Sequence, residues 1–376
     1  MAANGENQRE RMRERPRKGG KPMSKSFVNK VLLGGAVAAG AAVWAIAPRT
    51  FSDKRRNYVP SIPDVWYAHR GLHDAGSGLT AQYANESGEY VALARRMAMK
   101  AGYGSPSVTG AIAPENSLAA FAAACEAGYG IELDLQMTAD GEIVVVHDGD
   151  LMRVAGDPRR IADLTYDELT RIPLFPTDAP GAAVAAPLPG SLEKPPLVTT
   201  PDSAPEGYFQ HVPLFADVLK VVAGRVPLIV EYKFDDNSKW GSRDVELMEK
   251  GDALLQAYSG AYVIESFNPA AVNWYKENRP EVCRGQLSWW PQGEEKPSDP
   301  AALAKEYAAG ALIFDWISRP DFVAYDWHGG NSPQVRLARF MGAVPVSWTV
   351  RSRDELAQCD DWFDHHIFEA FVPDEQ

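Results

Sequence analysis

The sequence predicts an α/β protein folded as a (β/α)8 barrel, preceded by an N-terminal transmembrane or signal-anchor helix. Three observations point there. From residue 65 onward, eight short apolar runs alternate with helical patterns. Charged and imidazole residues recur where those runs end, which is where a barrel of parallel strands carries its chemistry. Ahead of all this, a basic stretch is followed by an uncharged apolar run.

The N-terminal elements come first. Residues 1–30 hold nine Lys/Arg against three Glu, are punctuated by Gly and Pro, and are expected to be disordered. Val31 to Ala47 reads VLLGGAVAAGAAVWAIA and is closed by Pro48. It sits at the short limit for a spanning helix and also resembles the apolar core of a signal peptide, with Ala45-Ile46-Ala47 as a cleavage site that Pro48 disfavours. Residues 31–48 are therefore expected to anchor or export the chain, with the basic flank left in the cytoplasm. Residues 49–63 read as a linker and residues 64–376 as the barrel. The catalytic part is placed outside the cytoplasm, membrane-anchored, or secreted if cleaved.

The expected strands are Val65–His69, Ile131–Gln136, Pro227–Lys233, Ala261–Ser266, Cys283–Ser288, Phe322–Asp326, Val344–Val350 and His365–Glu369. Ser117–Ala127 has helical spacing, with Asn116 as its cap and Gly128 as its stop. Leu214–Ala223, Asn268–Asn278 and Ala301–Trp316 follow as helices, and Ser352–Cys359 opens with the capping-box pattern Ser352-x-x-Glu355. Asp140-Gly141 marks a hairpin that extends the second unit. Two insertions interrupt the alternation, at about 72–113 and 173–213. The first contains a helical stretch over Glu89–Ala101. The second is dense in Pro and Ala, with little regular structure expected.

Composition bounds the function. The formal net charge is −12, and the basic N-terminus makes the rest more acidic still, which argues against nucleic acid as a partner of the main domain. Cys125, Cys283 and Cys359 are few and far apart, so a disulfide framework or zinc site is not expected. Residues i and i+2 of a strand share a face, so Glu132 pairs with Asp134 and Glu231 with Lys233. If those strands are neighbours, three carboxylates converge at one rim. Buried like charges are costly, and a divalent cation relieves them. His69 and His147, nearby, suit proton transfer.

The ordered set His69-Arg70-Gly71, Pro114-Glu115-Asn116-Ser117, Glu132-x-Asp134, His147-Asp148, Glu231-x-Lys233, Ser266-Phe267 and Trp348 resembles the glycerophosphodiester phosphodiesterases, over Tyr67 to Pro373. The stretches HRGLHD, PENSLAAF, GYGIELDLQMTADG, VPLIVEYK, IESFNP and IFEAFVP look like a bacterial branch. The last departs from the commoner Gly-Ile-x-Thr-Asp-x-Pro ending, and the insertion between HRG and PEN is longer than in many members. The resemblance implies a Ca²⁺ or Mg²⁺ ion held by Glu132, Asp134 and Glu231, which suits hard carboxylate oxygens. It implies acid/base catalysis by His69 and His147. Arg70 and Lys233 are then expected on the diester's charge, Glu115 as a support bonded to Arg70 or a histidine, and Trp348 against the glycerol. The implied reaction releases an alcohol and glycerol 3-phosphate. A phospholipase D-like or wall-polymer diesterase, or a non-catalytic binder of phospholipid headgroups, are the alternatives.

Overall fold

The structure is a computed structural model that describes residues 40–52, 60–176, 208–235, 237, 239–291 and 296–374. The chain divides into two compact units, Met1–Ala42 and Val43–Gln376, and the second holds the barrel. The basic stretch 1–30, residues 31–39 of the apolar run and residues 177–207 of the Pro/Ala-rich insertion lie outside the described residues.

Eleven strands are present among the described residues: β1 (Tyr67–Ala68), β2 (Gly130–Met137), β3 (Ile143–Val145), β4 (Asp150–Leu151), β5 (Asp157–Arg160), β6 (Leu228–Tyr232), β7 (Tyr262–Ser266), β8 (Arg284–Ser288), β9 (Phe322–Asp326), β10 (Val344–Val350) and β11 (His365–Phe368). The order β1-β11-β10-β9-β8-β7-β6-β2, closed by β1 pairing β2, is a parallel eight-stranded barrel. β3 is the antiparallel arm of the hairpin after β2, turned at Gly141. All eight expected strands occur, with ends shifted by one or two residues where a flanking residue leaves the ladder.

The barrel interior is filled by Tyr67, Ile229, Val263, Leu287, Phe322, Ala324, Val346 and Ile367, all buried. A second apolar layer lies between the strands and the surrounding helices. Alanine-rich Leu118–Ala127 is buried on nearly every side because helix Ala84–Lys100 of the first insertion packs over it. That insertion is thus part of the core. The cap of Leu118–Ala127 is Ser117, whose Oγ accepts from Ala120 N. The expected cap, Asn116, has its side chain turned to the barrel instead. Two helices without a sequence expectation, Ser242–Gln256 and Pro333–Phe340, complete the ring; the first has a polar, weakly periodic face.

Most of the segment expected to form a membrane helix, residues 31–39, lies outside the described residues. Among the described residues no helix is long and apolar enough to cross a membrane. Ala45, Ile46 and Ala47 are buried, and Trp44 stacks on Trp316 at 5.6 Å. Arg319 donates to the carbonyls of Trp44 and Ala47, each at 2.7 Å. Arg49 reaches Asp321, at the entry to β9, at 3.4 Å. Ala45, Ile46 and Ala47, the last residues of the apolar run, thus pack on the barrel's own surface near the N-terminal ends of the strands, while Trp44 stays exposed.

Candidate active site

Strand register assembles the site. β2 pairs β6 with Asp134 opposite Glu231, and β6 pairs β7 with Glu231 opposite Glu265. Residues in register on parallel neighbours share a face, so three carboxylates form a row, with Glu132 one step deeper on β2. Glu132, Asp134 and Glu231 each place a carboxylate oxygen within 4.8 Å of the others, and all are buried. Two cations meet this cluster. Lys233 Nζ is 3.1 Å from Glu231 and 3.6 Å from Asp134, and Arg70 Nε is 3.7 Å from Asp134.

The electrostatics are unbalanced. Burial, then Asp134, Glu231 and Glu265, hold the Glu132 carboxyl well above its usual range. Glu231 is pushed up to about 7, by burial first and with Lys233 opposing. Burial also works against Asp134, but His147, Lys233, Arg70 and the amide of Asn116 outweigh it and hold its carboxyl down. Asn116 Nδ2 donates to Asp134 Oδ2 at 2.8 Å, while Asp134 Oδ1 has no hydrogen-bond partner. Buried hard-oxygen donors, one of them orphaned, and more acids than cations fit a divalent cation.

Each histidine is held by a carboxylate. His69 Nδ1 donates to Glu369 Oε2 at 2.6 Å, and Glu369 also accepts from Arg351 Nε at 2.6 Å. Burial alone would raise the Glu369 carboxyl, but His69 and Arg351 hold it well below its usual range, so it stays an ionised acceptor. His147 Nδ1 donates to Asp148 Oδ1 at 2.8 Å, and Asp148 accepts from Arg153 Nε at 2.6 Å. In both rings the carboxylate therefore orients the imidazole and leaves Nε2 toward the cleft. His69 Nε2 is 3.8 Å from Glu132 Oε2. Burial lowers both imidazoles, with Arg70 adding to the effect; His147 falls to about 4.

A second tier supports these groups. Glu115 accepts from Arg70 Nη1 at 2.8 Å and from two nitrogens of Arg153 at 2.9 and 2.5 Å. The first insertion reaches both tiers: Ser77 N donates to Glu115 at 2.6 Å and Ser77 Oγ to Glu369 at 3.0 Å. A Cβ at Gly76 would lie 2.5 Å from the Glu115 carboxylate, and one at Gly78 would lie 2.7 Å from that of Glu369, with both φ angles positive. Only glycine lets this loop press on both carboxylates. Trp348 and Phe267 stand edge to face at 5.5 Å on the cleft wall.

The structure thus brings His69, Arg70, Glu132, His147, Glu231, Lys233 and Trp348 to one cleft at the C-terminal rim, with Asp134 and Glu115 buried beside it. Sequence reasoning did not single out Glu265, Glu369, Arg351 or Arg153. Glu265 and Glu369 each sit at the end of an expected strand, which was the available signal. Arg153 follows a hairpin excursion and gave none. His73, by contrast, is spent on the carbonyls of Gly71 and Ser77.

Comparison with known proteins points to one family. The family model of the glycerophosphoryl diester phosphodiesterases matches residues 108–368. His69 and Arg70 precede that stretch, set apart by the first insertion. A glycerophosphodiester phosphodiesterase of Caldanaerobacter subterraneus is 43% identical over 60 residues, 16% of this chain and 25% of that protein. The chain thus aligns with about a quarter of the length of such curated relatives. Two solved structures share the fold. A candidate glycerophosphoryl diester phosphodiesterase from Silicibacter pomeroyi has TM-score 0.53 at 20% identity, covering 83% of this chain and 92% of that one. An Oleispira antarctica phosphodiesterase in complex with the product sn-glycerol-3-phosphate has TM-score 0.51 at 16% identity, covering 82% and 94%. The chain belongs to the glycerophosphoryl diester phosphodiesterase family.

Proposed function

We propose that the protein hydrolyses glycerophosphodiesters to an alcohol and glycerol 3-phosphate at this rim. The observation that carries the reading is the buried cluster of Glu132, Asp134 and Glu231 flanked by two carboxylate-held histidines. A Ca²⁺ or Mg²⁺ ion held by those three carboxylates would supply positive charge to the phosphodiester oxygens. Arg70, a planar fork, and Lys233, a point charge, add to that charge and orient the diester. Of His69 and His147, one takes the proton from the attacking water and the other protonates the departing alkoxide as the phosphorus–oxygen bond breaks. Glu369 and Asp148 hold the two rings in register. Trp348, with Phe267, offers an apolar wall to the glycerol carbons. The product bound to the Oleispira relative is in line with this chemistry.

Incubation of the metal-loaded protein with a panel of glycerophosphodiesters is expected to yield glycerol 3-phosphate and free alcohol in equal amounts. Release of a phosphorylated alcohol and glycerol instead would overturn the assignment of the scissile bond. Location outside the cytoplasm rests on the basic flank and apolar run of residues 1–47; protease added to intact cells should then reach the barrel, and complete protection would contradict it.

A further inference from the structure

The two histidines of the site are carried by the backbone in different ways. His69 directly follows β1, and its N–H donates to Phe368 O of β11 at 2.9 Å, so the barrel ladder itself places it. His147 lies past the end of β3. The outermost pair of the β2–β3 ladder is Leu135 opposite Val145, followed by a bond from Val146 N to Asp134 O at 3.0 Å. Beyond that point a side chain takes over from the ladder. Gln136 Nε2 donates to the carbonyls of Val146, His147 and Asp148, at 2.9, 3.0 and 2.8 Å.

Three consecutive carbonyls that converge on one point need a donor there. The carboxamide brings two hydrogens, shared among the three acceptors. The turn that carries His147 therefore holds its shape only while that group is present. Gln136 follows Glu132 and Asp134 at steps of two, so it stands on their face of β2, one step nearer the rim than Asp134. The tether thus binds the His147 backbone to the strand that supplies two of the three clustered carboxylates. Asp148 and Arg153 act at another point, on the rotation of the ring. Gln136 acts on where the ring starts from. The His147 side chain is 30% exposed, so packing alone restrains it little. Among the described residues His147 lines the catalytic cleft and Gln136 does not.

We propose that Gln136 is a positioning residue for proton transfer: its carboxamide sets the distance between the His147 imidazole and a diester bound at the carboxylate cluster. The inference rests on the hydrolytic reading above. Misplacing a reacting group by about 1 Å costs on the order of 10²-fold in rate. Loss of the amide leaves Glu132, Asp134 and Glu231 on their strands and releases only the turn that carries His147. The loss therefore falls on kcat. Binding of the diester, through Arg70, Lys233 and the cation, is left in place.

The test uses the full chain loaded with Mg²⁺ or Ca²⁺ and a double-mutant cycle on Gln136 and His147. Gln136→Met keeps the length of the side chain and removes the donor. It should lower kcat by about 10–100-fold, the range for partners that orient a ligating or reacting imidazole, with KM changed by less than about twofold. In the His147→Ala background the same substitution should change kcat by less than about twofold, because the group it positions is gone. A wild-type kcat in Gln136→Met overturns the proposal, and so does a loss that persists undiminished beside His147→Ala. If Gln136→Met does not fold, Gln136→Asn, which keeps the amide but withdraws it by one methylene, runs the same cycle with the same outcomes. Nuclear magnetic resonance of the imidazole rings separates the two readings. Absence of turnover by the wild-type protein on every diester defeats the hydrolytic reading. A His147 ring signal that shifts in Gln136→Met while that of His69 stays in place would still uphold the tether, and an unmoved His147 signal would defeat it.

Discussion

The two ends of the barrel are built from the same strands and carry opposite burdens. On β6, Ile229 fills the interior and Glu231, two residues on, faces the cleft; on β7 the same step leads from Val263 to Glu265. The lower layers are apolar, interdigitated and satisfied. The upper rim gathers four buried carboxylates around two cations, with Asp134 Oδ1 and Glu265 Oε2 lacking partners. Stability is thus concentrated below and unmet electrostatic demand above, which is where chemistry on a charged substrate is expected. The difference teaches that a period-two pattern reports only which face a side chain occupies. How far along the strand it sits decides whether it packs or reacts.

Substitutions should separate the two ends. His69→Ala or His147→Ala is expected to lower kcat by roughly 10²–10⁴, the usual contribution of a positioned acid or base, with Tm little changed. Near-wild-type kcat in either variant would remove that histidine from the mechanism. Phe322→Ala, in the interior layers, should do the reverse: about 3–5 kcal/mol of stability lost in chemical denaturation, with kcat per folded molecule retained. A large fall in kcat without loss of stability would break the contrast. Glu369→Gln lies between. It keeps a hydrogen bond to His69 but removes the charge that His69 and Arg351 share, and a roughly 10–100-fold loss in kcat with an unchanged fold is expected, by analogy with partners that orient a ligating or reacting imidazole. An unchanged kcat would reduce Glu369 to packing.

Much of the barrel was legible because strand ends and strand faces are local properties. The runs around Phe322–Asp326 and Val344–Val350 end where the apolar pattern does, and the carboxylates of β2 and β6 share a face by spacing alone. Partners at long sequence separation were not legible. Glu369 reaches His69 across the closure of the barrel, and Ser77 reaches Glu115 and Glu369 from an insertion whose sequence shows only a helix and glycines. Asn116 looked like a helix cap because its neighbours are helical; its positive φ and its bond to Asp134 depend on β2, which no local pattern contains. Likewise the contacts of Trp44, at the end of the apolar run, with Trp316 and Arg319 join residues nearly three hundred positions apart in the chain.

The central claim is that the rim carboxylates need a cation, and thermal unfolding measured alongside diester turnover, before and after exhaustive chelation, tests it most directly. Binding to the folded state alone should raise Tm with added metal in a concentration-dependent way. The account predicts that chelation abolishes turnover and lowers Tm, and that Ca²⁺ or Mg²⁺ restores both together, whereas Phe322→Ala keeps the same metal response from a lower baseline. Full turnover and an unchanged Tm in the metal-stripped protein would contradict it.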